Sequence, residues 1–398
     1  MASAGIRYLG VGTVLALGLS QLINWGVSFY LLGAFGPAMV KEFAWSSQQV
    51  VAGLSVAMVV MGMTSPFTGG LVERFGGRAV LRVGTLLNAA ACVLLANSAA
   101  SLPIYYLIWM LFGFGMRLSL YDALFASLAE LAGERARGSM VGITLVGGLS
   151  SAVFWPLGSG LEALIGWRQG LMVYAATCLI SVSLINVLPA NAVMTKADNH
   201  DLQTTSQSAG CVFRQWLFGL SVTLVGVLSA GLAPQLPDLL MSLGAPIKLV
   251  ALWGIGQTCA RMAQSLLGGS MTASSLNVWV GGGLPLVFAI GLMSQGRVLV
   301  AGLFVFGYGA LNGLSTLLRA SLPFELFAPD QYARLTGKLV APAFVLSAFA
   351  PWLFAAVRDQ GGNPALLWMA LGIGVCSLLV AFALKALGGF KRGPTATG

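Results

Sequence analysis

From Tyr8 almost to Lys385 the chain is a succession of long apolar stretches separated by short polar breaks. A helix that spans a bilayer needs about 20 mostly apolar residues. The other way to cross lipid is a closed β-barrel, whose strands alternate apolar and polar residues over about ten positions, and runs such as Val50 to Pro66 do not alternate. Only 8% of the 398 residues are charged and 57% are hydrophobic, whereas a soluble domain carries about a quarter charged residues. The pattern therefore predicts an all-α membrane protein.

Apolar runs set against their breaks predict twelve spans: 9–39, 48–70, 79–99, 102–132, 139–161, 168–189, 214–238, 247–268, 276–294, 298–322, 336–357 and 364–387. The long polar stretch, with Lys196, Asp198, His200 and Asp201, divides residues 1–189 from 214–398 and reads as a cytoplasmic linker, 190–213, between two six-helix bundles. The halves resemble one another, because Glu130 and Glu325, Gly142 and Gly337, and Pro156 and Pro351 all stand 195 residues apart. Duplicated bundles of this kind place a solute site near the midplane between them. With the N-terminus inside, thirteen of the 21 Lys and Arg residues fall in the cytoplasm and five outside, the bias that orients membrane proteins. Both termini are thus expected in the cytoplasm of a bacterial inner membrane, with no cleaved leader, in a monomeric chain. The formal charge of +9 is scattered through short loops, which argues against nucleic acid as a partner. Cys92, Cys178, Cys211, Cys259 and Cys376 form no CxxC pair and read as packing residues.

Between the second and third spans stands Gly69-Gly70-Leu71-Val72-Glu73-Arg74-Phe75-Gly76-Gly77-Arg78. It resembles the signature loop of the major facilitator superfamily, with Glu73 where that family usually has Asp. The resemblance implies two pseudo-symmetric six-helix bundles, and a cytoplasmic gate in which Glu73, Arg74 and Arg78 help to close the inner side. Trp25-Gly26-Val27-Ser28-Phe29-Tyr30, Gly166-Trp167-Arg168 and Gly256-Gln257-Thr258-Cys259-Ala260-Arg261 are similar to stretches of the monocarboxylate and oxalate/formate porters of that superfamily. In that branch an arginine in the eighth span is a carboxylate partner, and Arg261 stands at the matching place. Gln257 replaces an acid found four residues earlier, and the eleventh span has no mid-membrane lysine, so a solute with one anionic group is favoured over a dicarboxylate.

Ionisable groups inside spans are expensive and mark paired sites or transport paths. Arg117, Asp122, Arg261 and Arg319 are the four that lie clearly inside a span, away from its ends. The forked guanidinium groups of Arg117, Arg261 and Arg319 suit a carboxylate. The repeat sets Asn312 opposite Arg117, and Gln257, Asn24 and Tyr30 complete the expected solute site. On one continuous helix Asp122 would lie roughly 140° from Arg117, so the two are not expected to face one site. Asp122, the acid deepest in a span, is the proton-coupling candidate. Glu130 and Glu325 read as members of cytoplasmic ion-pair clusters that gate or brace. The sequence predicts a secondary transporter of a small organic anion working by alternating access, with the solute, the bilayer and protons as its partners. A proton-driven exporter of drugs or other toxic solutes is the alternative, and a membrane sensor is a third. With His200 as the one histidine, no nucleotide loop and no metal cluster, neither an enzyme nor a cofactor is expected.

Overall fold

The computed structural model describes residues 10–189, 209–267, 271–327 and 332–388, and among them every regular element is helical. The linker residues 190–208, the second-half turn at 268–270 and the chain ends lie outside the described residues. In chain order the helices are α1 (Val11–Val27), α2 (Leu31–Phe43), α3 (Ser47–Phe75), α4 (Gly77–Ala96), α5 (Leu102–Ser119), α6 (Tyr121–Ala132), α7 (Ala136–Gly147) and α8 (Ser150–Ile185). The second half continues with α9 (Ala209–Leu232), α10 (Leu236–Ser242), α11 (Ala251–Leu267), α12 (Ala273–Leu292), α13 (Val298–Leu326) and α14 (Tyr332–Ala386).

Nine stretches among the described residues are long and apolar enough to cross a membrane. Their outward faces carry Leu164, Trp279, Leu299 and Trp352, all at least 70% exposed. Apolar side chains on this scale are tolerated where lipid, not water, is the surrounding medium. The two longest stretches run 48 and 52 residues. At a rise of 1.5 Å per residue each would exceed about 70 Å, more than twice a bilayer core of about 30 Å. Neither is one straight rod: Gly166 (φ 80°) breaks α8 and Gly362 (φ 69°) breaks α14, at backbone angles that glycine adopts without cost.

Two expected spans are themselves interrupted, and both breaks shape the site. The first span turns at Ser28–Tyr30 and runs on to Phe43. There the Tyr30 amide donates to the Trp25 carbonyl at 3.0 Å, a five-residue step of the kind that marks π-type bulges at functional sites. The fourth span breaks at Leu120, which is extended (φ −82°, ψ −177°) between α5 and α6. The amide of Gln21 donates to the freed Ser119 carbonyl at 2.8 Å, so the break leaves that buried acceptor paired.

Packing divides by half except at one end. One buried cluster joins Val27, Phe35, Met61, Trp109, Phe112 and Trp167 of the first half. A second joins Leu232, Leu240, Phe288, Phe304, Tyr308 and Leu367 of the second. A third, at the end that carries the Gly76–Gly77 turn, unites Val72, Val80, Leu124 and Met140 with Ala320 and Phe324 from α13. At the same end α3 lies against α14, where the Ser65 hydroxyl donates to the Gly337 carbonyl at 2.5 Å. A β-carbon on Gly337 would come within 2.6 Å of the Ser65 carbonyl oxygen, so glycine is what lets the halves meet there.

Candidate functional site

The break at Leu120 overturns the expectation that Arg117 and Asp122 face apart. With the helix redirected after Ser119, Asp122 swings back and its Oδ2 accepts from Arg117 Nη1 at 2.6 Å. The same oxygen accepts from Arg319 Nη2, also at 2.6 Å. Arg117 Nε donates to Thr68 Oγ1 at 2.9 Å. The Phe344 ring lies under both guanidinium groups, at 5.5 Å from Arg117 and 4.8 Å from Arg319, within cation–π range. The cluster draws on α3, α5, α6, α13 and α14 and ties the halves together. It also reassigns Arg117, which is expected as a solute ligand: it is 2% exposed and donates to Asp122 and Thr68, while Arg319 gives Nη2 to Asp122 and keeps a buried Nε without a partner among the described groups.

Arg261 is placed differently. It is 6% exposed; its Nε donates to the Gly313 carbonyl at 3.3 Å and its Nη2 to Gln257 Oε1 at 3.2 Å. Both acceptors are neutral, and among the described residues no acid is paired with this guanidinium. Its Nη1 reaches across the seam to Gly148 at the start of the next span segment, where a β-carbon would sit 1.8 Å away. The neighbouring Gly147 makes the same room for Tyr121, whose hydroxyl would lie 2.5 Å from a β-carbon there. Tyr121 thus approaches the same turn as Arg261, and Trp25 links it to Tyr30, with ring centroids 5.3 Å from Tyr121 and 6.1 Å from Tyr30. Tyr30 also meets Trp155, with ring centroids 5.8 Å apart.

Other expected ligands turn elsewhere. Asn24 is fully buried and donates to the Ser20 carbonyl at 2.9 Å and to Ser181 Oγ at 2.8 Å, which makes it glue between the first and sixth spans. Asn312 accepts from the Ser229 hydroxyl of α9. Arg261, Gln257 and Tyr30 therefore remain together at the seam, and Tyr121, Gly147 and Gly148 join them. These three carry no charge and stand in no motif quoted above; the adjacent glycines inside an apolar run were the available signal. No three of His, Cys, Asp and Glu come together as a metal ion would need, among the described residues.

The profile of the Major Facilitator Superfamily matches residues 17–269. The chain belongs to this superfamily. As a major facilitator protein it is a solute transporter and not an enzyme. Monocarboxylate transporter 11 of Homo sapiens is 28% identical over 366 residues, covering 85% of this chain and 75% of the relative. The Mus musculus protein of the same name is 26% identical over 354 residues, covering 85% and 72%. Monocarboxylate transporter 3 of Rattus norvegicus is 30% identical over a shorter stretch of 143 residues, 35% of this chain and 27% of the relative.

Within this major facilitator protein the signature loop closes α3 and starts α4. Gly76 adopts φ 79°, and a β-carbon on Gly77 would meet Ser127 Oγ at 1.8 Å, so the turn packs flush against α6. Arg78 donates to Asn186 Oδ1 through Nε at 3.2 Å and Nη2 at 2.9 Å, joining the third span to the end of the sixth. The Arg74 guanidinium stands 5.2 Å from the Phe75 ring, and Glu73 is exposed. Glu130 has a buried Oε1 without a partner among the described groups. Glu325 accepts from the amides of Ala273 and Ser274 at 2.5 and 2.8 Å and from Ser274 Oγ at 2.9 Å. It thus holds the first turn of α12, where the second-half loop offers no charge of its own.

Proposed function

We propose that the chain is a twelve-span secondary transporter of monocarboxylate anions, with bundles at 1–189 and 214–398 joined by the linker 190–213. Its place is a bacterial cytoplasmic membrane with both termini inside. The observation that carries this reading is Arg261: a buried guanidinium without an acid partner among the described residues, seated between the halves on Gly148. Burying a charge is costly until a counter-charge arrives, and a single carboxylate supplies one. Gln257 and Tyr30 flank that position. The names of the relatives, monocarboxylate transporters, support the same solute class.

Asp122 is the proposed proton carrier. Ionised, it holds Arg117 of one half and Arg319 of the other, and the halves stay closed at the end bearing the signature loop. Protonated, it loses most of its attraction for both, which frees that end to part. Glu73, Arg74 and Arg78 brace the closed, outward-facing state, and Glu130 and Glu325 brace the helix ends beside it. Twelve spans follow if Gly166 and Gly362 each divide a long helix in two and α11, of 17 residues, also crosses.

Proteoliposomes test the reading directly. Uptake of labelled acetate, lactate or pyruvate driven by an inward proton gradient is expected in the wild type and absent in Arg261→Ala. Carboxylate uptake that survives Arg261→Ala would remove the proposed anion contact.

A further inference from the structure

A wall of aromatic rings stands beside Arg261. Tyr121 packs on Trp25 at 5.3 Å between centroids, Trp25 on Tyr30 at 6.1 Å, and Tyr30 edge-on to Trp155 at 5.8 Å. Three elements converge to build it: the bulge at the end of α1, the start of α6 after the Leu120 break, and α8. A second aromatic run, Tyr105–Trp109–Phe112, shows what rings do when they only pack, for all three are fully buried. Trp25, Tyr30 and Tyr121 are instead half-buried at mid-span, and Trp155 is 41% exposed. The adjacent glycines, 147 and 148, let the Tyr121 hydroxyl and the Arg261 guanidinium approach the same backbone turn, so ring wall and cation belong to one site.

Building on the anion reading above, we propose that the preferred substrates are aromatic monocarboxylates lacking an α-amino group, the carboxylate on Arg261 and the ring against Trp25, Tyr30 and Tyr121. Aliphatic acids such as acetate would leave those faces uncovered. A neutral aromatic compound would leave the buried guanidinium without a counter-charge, and an aromatic amine would add a second positive charge beside it. An aromatic amino acid meets a related obstacle. Its ammonium group needs an acid, Gln257 is neutral, and Asp122 is already held between two arginines.

The experiment uses the full-length protein in nanodiscs, with binding read by calorimetry for acetate, phenylacetate, phenylalanine and phenethylamine. Phenylacetate is expected to bind at least about tenfold more tightly than acetate, the gain from added ring contacts, with phenylalanine and phenethylamine at least about tenfold weaker than phenylacetate. Trp25→Leu is expected to bring the phenylacetate-to-acetate ratio within about threefold, Trp25→Phe to keep most of it, and Arg261→Ala to abolish binding of both acids. Equal affinity for acetate and phenylacetate in the wild type would overturn the aromatic preference and leave the anion reading standing. Binding of phenethylamine or phenylalanine as tight as that of phenylacetate would also overturn it. Failure of both acids to bind, or their binding to Arg261→Ala, would instead bring down the anion reading itself. Because the wild-type series decides the ring preference alone, a Trp25 variant that misfolds does not shelter the proposal.

Discussion

Two arginines, each almost fully buried, differ in the acceptors that stand within hydrogen-bonding distance of them. Arg117 has Asp122 and Thr68, and Arg261 has a carbonyl and an amide. Arg261→Lys keeps the charge and loses the planar fork. Affinity for a carboxylate is expected to fall about 10- to 100-fold, the scale of one charge-assisted hydrogen bond, as read by titration of the purified protein. Asp122→Asn is expected to cost roughly 3–5 kcal/mol of stability, the scale for stripping one partner from a buried ion pair. Pairing it with Arg319→Gln should recover part of that loss in a thermal melt. Proton-driven uptake should fail in Asp122→Asn while solute exchange continues, and intact proton coupling would exclude Asp122 as the carrier.

At the scale of elements, the close approach of α11 to α13 depends on glycine. A β-carbon on Gly309 would come within 2.1 Å of the Trp253 carbonyl oxygen, and one on Gly256 within 2.2 Å of the Phe306 carbonyl oxygen. Backbone atoms cannot rotate aside, so Gly309→Ala is expected to push α11 outward and cost about 1–3 kcal/mol. Arg261 rides on α11, and carboxylate affinity should fall with the melting temperature. An unchanged melt in Gly309→Ala would show that the two helices are not packed this closely. The cap on α12 is a milder case. Glu325→Ala removes acceptors from two first-turn amides and is expected to cost about 1–2 kcal/mol, measurable in the same assay.

For the molecule as a whole, the halves share a core at the signature-loop end, and the charge cluster and the Ser65–Gly337 contact lie on the same joint. Gly337→Val would wedge α14 away from α3. A cysteine placed at Ala320, 3% exposed as it stands, should then react with a polar thiol reagent applied from the loop side, at a rate well above that in the Gly337 background. Equal rates would mean that this contact does not hold the end shut.

The membrane-spanning helical class was legible in local sequence, because an apolar run of span length has one stable arrangement in lipid whatever lies beside it. The turn at Gly76–Gly77 was legible from its motif, and Arg261 was singled out by the family resemblance and its place within a span. The roles of Arg117, Arg319 and Asn24 were not. Each was decided by a partner remote in sequence, Asp122 meeting Arg319 across the seam and Asn24 meeting Ser181, and by a helix break at Leu120 that no proline or glycine announces. Span-length apolar runs and the positive φ of a turn glycine are properties of adjacent residues in the chain, and so the sequence determined the elements. Counter-charge and ring stacking act through neighbours in space, and so only the tertiary structure decided which buried arginine is held by an acid and which has neutral acceptors alone.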